Sequence, residues 1–333
     1  MLKTPYLLFL GDAPDALAAK VAQGIKDWRP EHCAGQLRLA GCKADLGLPD
    51  MTVAEAQAAG AETLVVGAAN RGGVISPLWL ETLVGAARAG MDIASGLHNR
   101  LTDLPTLVEA AESAGTQLLD VRVPQQAYPI ADGKRRTGKR CLAVGTDCSV
   151  GKMYTALAME REMHARGMKA SFRATGQTGI LITGDGVPLD AVVADFMAGS
   201  VEWLSPANDP DHWDLIEGQG SLYNVSYSGV TLGLIHGAQA DALVMCHEIG
   251  RPHMRGLPDY PVPEIPTCMD TILHMAKMVN EDVRFVGVSL NTSNVSADEA
   301  AAFKAKTAEQ TGLPVVDPLK DGVAPIVDRL MAG

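Results

Sequence analysis

The feature that most constrains the fold is a strand, loop and helix pattern at residues 141–154. An apolar run over residues 141–144 leads into a loop that begins at Gly145 and ends at Gly151 and Lys152, and a helical pattern follows. Glycines free the amides of such a loop to converge on an anion, and a lysine at the helix start adds a point charge. The pattern therefore predicts a phosphate-binding loop at residues 145–152.

The residue after the lysine departs from nucleotide-hydrolysing loops. Those loops place a Ser or Thr hydroxyl there to hold the Mg²⁺ that bridges the phosphates, whereas this chain has Met153, which cannot ligate a hard cation. We therefore expect the loop to hold a phosphate that is not cleaved, with no metal ligands and no metal required. The alternative is a tight strand-to-helix turn with a solvated lysine.

Short apolar runs alternate with alanine-rich helical patterns, which is typical of parallel sheets flanked by helices. A chain of 333 residues is long enough for two domains with separate cores. The expected fold is α/β with two doubly wound parallel-sheet domains: a Rossmann-like domain at residues 1–123, a linker rich in Pro and Gly at 124–139, and a P-loop NTPase-like domain at 140–333. Strands are expected at 6–10, 63–66, 92–94, 117–121, 140–144, 170–173, 213–216, 242–246 and 285–290, and helices at 15–26, 78–89, 105–113 and from the loop to about 166.

Composition narrows the classes of partner. A net charge of -11 provides no basic face for nucleic acid, so the loop is expected to serve a small-molecule substrate. The six cysteines show no paired ligand spacing, which favours reduced thiols. No window approaches a membrane-spanning length, and the N-terminal residues lack the pattern of a signal peptide. We expect a cytoplasmic homo-oligomer with no membrane partner.

Residues that follow strands are the candidates for ligand binding, because loops at the carboxyl ends of parallel strands form the binding crevice. Glu217 follows the strand at 213–216 in a glycine-rich setting, where it could hold a metal, a substrate amine or the lysine of the loop. His247, Arg251 and Arg255 follow the next strand and could titrate a proton and bind a dicarboxylate, or form a solvated loop.

Three further strand ends carry polar residues. The segment from Arg173 to Gly179 has many donors and little bulk, which suits anion or amide binding. Asn291 could read a base edge or cap a turn. His98 also follows a strand, although a lone histidine is more often structural than catalytic.

Some of these motifs resemble a group of ATP-dependent enzymes. The loop at 145–152, the Glu-Gly-x-Gly motif at 217–220 and the strand-end Asn291 are similar to those of dethiobiotin synthetase and the cobyrinic acid amidases. That local resemblance implies ATP chemistry.

A closer resemblance covers nearly the whole chain. It is to the P-loop family that contains D-glutamate N-acetyltransferase of the DgcN type, and it implies transfer of an acetyl group from acetyl-CoA to the amine of D-glutamate in a catabolic route. The matching motifs lie at residues 28–31, 95–99, 145–154, 173–179, 190–196, 216–221 and 254–257.

The resemblance gives the candidate residues their expected roles. Coenzyme A carries phosphates that need binding but not cleavage, which tolerates a methionine after the lysine. The runner-up is an ATP-dependent ligase or kinase acting on a small carboxylate, and a non-catalytic nucleotide sensor is a third possibility. The expected general bases are Glu217, Asp147 and His247; the expected donor-binding residues are Gly145, Thr146, Ser149, Val150, Gly151, Lys152, Met153, Tyr154 and Asn291; the expected substrate-binding residues are Arg173, Gln177, Thr178, Gln219, Ser221, Arg251, Arg255, His98 and Asn99.

Overall fold

The computed structural model describes residues 2–68, 74–124 and 126–332. Residues 1, 69–73, 125 and 333, which belong to the expected domains and linker, lie outside the described residues. The strands are β1 (Tyr6–Gly11), β2 (Cys33–Arg38), β3 (Thr63–Val66), β4 (Asp92–Ser95), β5 (Leu118–Asp120), β6 (Lys139–Gly145), β7 (Ala170–Arg173), β8 (Trp213–Ile216), β9 (Ala242–Glu248), β10 (His253–Met254), β11 (Leu257–Pro261), β12 (Arg284–Asn291) and β13 (Val315–Val316). The α-helices are α1 (Lys20–Trp28), α2 (Val53–Ala58), α3 (Pro77–Arg88), α4 (Pro105–Ala114), α5 (Lys152–Ala165), α6 (Gln177–Thr183), α7 (Ala194–Leu204), α8 (Ser228–Ala238), α9 (Ile265–Lys277), α10 (Ala297–Thr311) and α11 (Ala324–Met331).

The chain divides into two compact units. Unit 1 comprises Met1–Gln125 and Gln177–Ala191, and unit 2 comprises Gln126–Gly176 and Val192–Gly333. None of the helices described here is long and apolar enough to cross a membrane.

Unit 1 contains a parallel five-stranded sheet in the order β2-β1-β3-β4-β5. Alternating residues of β1, such as Leu7 and Phe9, belong to an apolar cluster that includes Trp79 and Leu83 of α3. The indole Nε1 of Trp79 donates to the carboxylate of Asp12 at 2.9 Å, so its buried polar group has a partner. The parallel order on both sides of β1 is that of a doubly wound sheet.

Strand β2 is absent from the elements expected from sequence because it has no apolar run. A Cβ on Gly35 would lie 2.7 Å from the Sδ atom of Met51 and 2.7 Å from the carbonyl oxygen of Pro49, so the strand requires glycine at this close approach. The side chain of Gln36 is buried and donates to Asp45 at 2.8 Å. The close approach of the backbone at Gly35 and the hydrogen-bonded side-chain amide of Gln36 therefore hold this strand in place.

Unit 1 also contains the segment Gln177–Ala191, which two consecutive domains do not anticipate. Helix α6 of this segment packs against α1. The main chain of Leu2 donates to Gly184 at 3.3 Å, and Arg122 forms an ion pair with Asp190. The segment therefore leaves unit 2 after Gly176 and packs with the N-terminal part of the chain.

Unit 2 contains a parallel six-stranded sheet in the order β13-β12-β9-β6-β8-β7. Strand β6 lies between β8 and β9, so the strands that follow it in sequence lie on both sides of it. The loops after β6, β8, β9 and β12 consequently lie at one edge, which is where α/β sheets bind ligands. The expected α/β class with two parallel sheets is confirmed.

The segment expected to be a linker packs against helix α7 of unit 2. The main-chain amides of Asp132 and Gly133 donate to the carboxylate of Glu202 at 2.9 and 3.0 Å. Arg136 donates to the carbonyl oxygen of Gly237 at 2.7 Å. The polar and basic residues of the expected linker therefore form hydrogen bonds within unit 2.

Two helical glycines provide a matched test of this packing. A Cβ on Gly199 of α7 would lie 2.0 Å from the carbonyl oxygen of Pro129, whereas a Cβ on Gly229 of α8 would meet nothing within 4 Å. We predict that Gly199→Ala lowers the free energy of unfolding by about 1 to 3 kcal/mol because the segment must move. Gly229→Ala should raise it by up to about 1 kcal/mol through helix propensity. Urea unfolding of both variants checks this, and equal shifts would contradict it.

Candidate active site at the edge of the second sheet

The phosphate-binding loop is a tight turn that requires unusual backbone angles. A Cβ on Gly145 would lie 2.7 Å from the side chain of Val150, so glycine lets the loop fold back over the end of β6. Gly151 has φ of 101° and Ser149 has φ of 54°, both in the left-handed region. Glycine adopts this region freely, but serine does so only when its surroundings hold it there.

Lys152 begins helix α5, and its side chain is buried. The Nζ atom donates to the carbonyl oxygen of Asp147 at 2.7 Å, and burial lowers the pKa of the lysine. A Cβ on Gly218 would lie 2.9 Å from the Cδ atom of Lys152, which places the lysine stem against the residue that follows Glu217. The alternative of a solvated lysine is therefore wrong.

Glu217 directly follows β8, and only 5% of its surface is exposed. Its Oε2 atom accepts hydrogen bonds from the main-chain amides of Thr175 and Gly176 at 2.9 and 3.0 Å. Burial raises the pKa of Glu217 to about 7, although these amides and the nearby Lys152 act in the opposite direction. The site therefore contains a carboxylate that can gain and lose a proton near neutral pH.

The residues around Glu217 fix its orientation. The hydroxyl of Thr175 donates to the main-chain oxygen of Glu217 at 2.7 Å and accepts from the Nε2 atom of Gln219 at 3.1 Å. A Cβ on Gly176 would lie 2.6 Å from Gln219 Nε2 and 3.1 Å from Glu217 Oε1. Gly176 therefore allows the loop after β7 to approach both side chains.

Asp147 lies fully buried inside the loop. Its carboxylate accepts hydrogen bonds from Asn224 Nδ2 at 2.9 Å, from Arg251 at 2.8 Å and from the main-chain amide of Arg255 at 2.7 Å. Burial opposes its ionisation, but these donors outweigh that effect and lower the pKa of Asp147. The carboxylate therefore ties the loop to the segments that follow β8 and β9.

His247 and Thr146 form a second internal contact. The Nδ1 atom of His247 lies 2.9 Å from the hydroxyl of Thr146, and its ring stacks on Phe303 with a centroid separation of 5.5 Å. Burial, with the nearby Arg251 charge, lowers the pKa of His247 to about 4. Ser221 donates to the carbonyl oxygen of Thr146 at 2.9 Å. These residues hold Thr146 of the loop in place.

The three arginines expected to bind substrate differ in availability. The Nε atom of Arg173 donates to the buried carboxylate of Asp214 at 2.7 Å. Arg251 forms ion pairs with Asp147 and with Glu248. Arg255 is exposed, and its guanidinium donates to the hydroxyl of Ser149. Arg255 is therefore the most accessible of the three.

The remaining expected residues have varied surroundings. Asn291 accepts a hydrogen bond from the amide of Ser293 at 3.0 Å, which is the turn-capping alternative, and Met153 and Tyr154 lie half-buried in the first turn of α5. The other four residues belong to unit 1: His98, Asn99, Gln177 and Thr178. His98 is exposed, and Asn99 accepts a hydrogen bond from the main-chain amide of Ile75 at 3.0 Å. The side chain of Gln177 lies close to Gly96, because a Cβ on that glycine would lie 2.2 Å from Gln177 Oε1.

Asn224 and Thr175 contact the expected site residues but were not among them. Asn224 is buried in the loop between β8 and α8, and Thr175 follows β7. A polar residue that follows a strand or its loop is a weak signal by itself. What identifies them is the buried carboxylate that each one contacts, Asp147 and Glu217 respectively.

Comparison with known proteins shows the family. Residues 129–327 match the "Domain of unknown function (DUF1611_C) P-loop domain", and residues 37–124 match the "Domain of unknown function (DUF1611_N) Rossmann-like domain". The chain is 64% identical to a D-glutamate N-acetyltransferase of Tritonibacter scottomollicae over 100% of both chains. It is 49% identical to a D-glutamate N-acetyltransferase of a Pseudoalteromonas species over 99% of both chains.

A solved structure agrees with this assignment. The crystal structure of a DUF1611 family protein from Anabaena variabilis is 30% identical to the chain, covers 99% of each chain and has a TM-score of 0.84. The chain therefore belongs to the DUF1611 family, with a Rossmann-like N-terminal part and a P-loop C-terminal part. The family membership expected from the sequence motifs is confirmed.

The raised pKa of Glu217 predicts a pH-dependent stability. The folded state holds this proton up to about pH 7, whereas an unfolded glutamate loses it near pH 4.5, so stability falls as pH rises between these values. Glu217→Gln removes this loss, and at pH 8 the gain in unfolding free energy is at most about 3 kcal/mol. Chemical denaturation of both proteins at pH 5 and pH 8 measures this. The unfolding free energy of the variant, relative to that of the unaltered protein, should be higher at pH 8 than at pH 5. A relative loss at pH 8 would mean that pairing with Lys152 outweighs burial.

Proposed function

We propose that the protein is a D-glutamate N-acetyltransferase that uses acetyl-CoA as the acetyl donor. The observation that carries the proposal is the 64% identity, over the whole of both chains, with a protein of that name. The site adds a chemical argument, because a buried carboxylate with a pKa of about 7 lies beside a phosphate-binding loop. We further propose that the reaction begins a catabolic route in which the N-acetyl product is oxidised.

The loop suits a donor whose phosphates are held and not cleaved. Coenzyme A carries a pyrophosphate and a ribose phosphate, and the loop offers a helix N-terminus with Lys152 at its first position. Met153 occupies the position at which nucleotide-hydrolysing loops carry a magnesium ligand. A donor whose phosphates are held but not cleaved needs no magnesium ligand at that position, so Met153 is compatible with it.

Acetyl transfer requires the substrate ammonium group to lose a proton before its nitrogen attacks the thioester carbon. A base is most useful when its pKa lies near the working pH, which favours Glu217 at about 7 over His247 at about 4. The carboxylate of Asp147 is held by three donors from two other segments. We therefore assign proton removal to Glu217, and the departing thiolate of coenzyme A takes up a proton when the C–S bond breaks.

The two carboxylates of the substrate need cationic partners. Arg255 is our choice because its guanidinium is exposed and lies near the loop, where it contacts Ser149. Arg173 and Arg251 already have carboxylate partners within unit 2. Main-chain amides that follow Glu217 are candidates for stabilising the oxyanion that develops on the thioester oxygen.

Thiol release from acetyl-CoA tests the proposal directly. The purified protein should release coenzyme A thiol in the presence of D-glutamate, more slowly with L-glutamate and other amino acids, and the rate should survive excess EDTA. ATP turnover with a small carboxylate serves as the comparison reaction. Strict magnesium dependence with ATP consumption, and no thiol release, would favour a ligase or kinase.

The assignment of the base gives a separate prediction. Glu217→Gln should lower the maximal rate by roughly 100- to 10,000-fold, with acetyl-CoA affinity within a few-fold of the original. In the unaltered protein the rate should rise with pH through about 7 as Glu217 ionises.

Glu160→Gln is a matched control for this prediction, because Glu160 is also buried and accepts a main-chain amide, that of Phe172, at 2.8 Å. Its turnover should stay close to that of the unaltered protein. Near-normal turnover of Glu217→Gln would transfer the role of base to His247.

A further inference from the structure

A chain of side-chain contacts joins four loops at the edge of the second sheet. Asn294 donates to Glu248 at 3.0 Å, and Glu248 forms an ion pair with Arg251. Arg251 donates to Asp147 at 2.8 Å, and Asn224 donates to the other carboxylate oxygen at 2.9 Å. We call these five residues the Asp147 network. Asn294 follows β12, Glu248 ends β9 and Arg251 follows it, Asp147 follows β6, and Asn224 follows β8. The network therefore links the ends of four neighbouring strands at this edge.

Arg251 also holds the main chain of the phosphate-binding loop. It donates to the carbonyl oxygen of Cys148 at 2.6 Å and to that of Ser149 at 3.2 Å. These two carbonyl groups belong to the peptide planes on either side of the Ser149 Cα atom. The orientation of the two planes sets the φ and ψ angles of Ser149, so the guanidinium acts on the backbone conformation of this residue.

Ser149 needs such support because its φ of 54° is unfavourable for a residue with a Cβ. The left-handed conformation costs an L-residue an amount that corresponds to about tenfold in an equilibrium constant. Arg255 adds a contact to the hydroxyl of Ser149, and its main-chain amide donates to Asp147 at 2.7 Å. The loop is thus held in a conformation that its own sequence disfavours.

We propose that Arg251 is a positioning residue that keeps Ser149 left-handed and so maintains the loop conformation that receives the donor phosphates. Asp147 and Glu248 orient Arg251 and neutralise its charge, so it acts through the backbone of the loop. The identity of the donor as acetyl-CoA rests on the proposed function. The role of Arg251 does not, because it concerns the shape of a loop that binds phosphate.

The test uses a substitution that keeps the charge. An ammonium group cannot reproduce the fork with which Arg251 reaches Asp147, Glu248 and two carbonyl oxygens, so Arg251→Lys should release the loop. Acetyl-CoA affinity, measured by calorimetry without D-glutamate, should fall about tenfold. The maximal rate at saturating acetyl-CoA should stay within a few-fold, because the bound donor restores the loop.

Ser149→Gly separates positioning from direct binding. Glycine adopts a φ near 54° without the Cβ penalty, so the loop should depend less on Arg251. In the Ser149→Gly background, Arg251→Lys should therefore lower acetyl-CoA affinity by only about two- to threefold, and this coupling is the measured quantity of a double-mutant cycle. An equal loss in both backgrounds would overturn the proposal, because Arg251 would then contact the ligand directly.

Arg166→Lys is the matched control. Arg166 also pairs with two carboxylates, those of Glu162 and Asp328, and donates to a main-chain oxygen, that of Ala324, at 3.3 Å. It lies at the far end of α5, and its substitution should leave acetyl-CoA affinity unchanged in both backgrounds. Unchanged affinity in Arg251→Lys would overturn the proposal.

Two further measurements keep the test decisive. If Arg251→Lys does not fold, Glu248→Gln removes one partner of Arg251 and is measured in both backgrounds by the same criteria. If the unaltered protein binds inorganic pyrophosphate but not acetyl-CoA, the proposed donor is wrong, and the cycle is run with pyrophosphate. Binding of neither would overturn both the proposed donor and the role of Arg251.

Discussion

The site of unit 2 depends on the close approach of the segments at the ends of β6 and β8. A Cβ on Gly218 would lie 1.7 Å from the carbonyl oxygen of Ala143, so only glycine permits this approach. The approach places Lys152 against the residue after Glu217, and both side chains lose most of their water. Burial lowers the pKa of the lysine and raises that of the carboxylate. Each charged form is therefore less stable than in water, which is common where a group must exchange a proton.

The pKa values of two buried carboxylates in this site shift in opposite directions, and the surroundings of each explain its shift. Asp147 receives a guanidinium, a side-chain amide and a main-chain amide, and its pKa falls. Glu217 receives two main-chain amides, and burial dominates, so its pKa rises to about 7. The environment thus separates a fixed charge that shapes the loop from a group that titrates near neutral pH. This separation is the strongest structural reason for assigning proton transfer to Glu217.

The sequence was sufficient for the elements whose apolar periodicity is strong. Buried runs such as those of β6 and β9 and the glycines of the loop identified the parallel sheet and the binding edge. Strand β2 was missed because Gly35 and Gln36 interrupt any apolar run. The segment after Gly176 was expected in the second domain because local patterns do not show which core a helix joins. Packing and side-chain hydrogen bonds decided these elements.

The sequence also could not predict which side chains that lie far apart along the chain contact each other. Arg251 lies 104 positions from Asp147, and a charged residue after a strand suits either a ligand or an internal partner. Its isolated motif favoured substrate binding, whereas the structure shows two carboxylate partners. Composition gives the available charges, but only the order of the strands determines which of them meet.

The surroundings of the next aliphatic hydroxyl on helix α5, that of Thr155, bear on the proposal that the loop holds phosphates without cleaving them. Thr155 lies three residues after Lys152, and its hydroxyl donates to the carbonyl oxygen of Gly151 at 2.9 Å and lies 2.7 Å from that of Ser289. It is fully buried, so it serves the packing of α5 on β12. Met153 cannot take the place of a magnesium ligand, and Thr155 is already engaged in the core. Neither Met153 nor Thr155 therefore offers a hydroxyl to a magnesium ion, which supports the proposed donor, bound through its phosphates and reacting elsewhere.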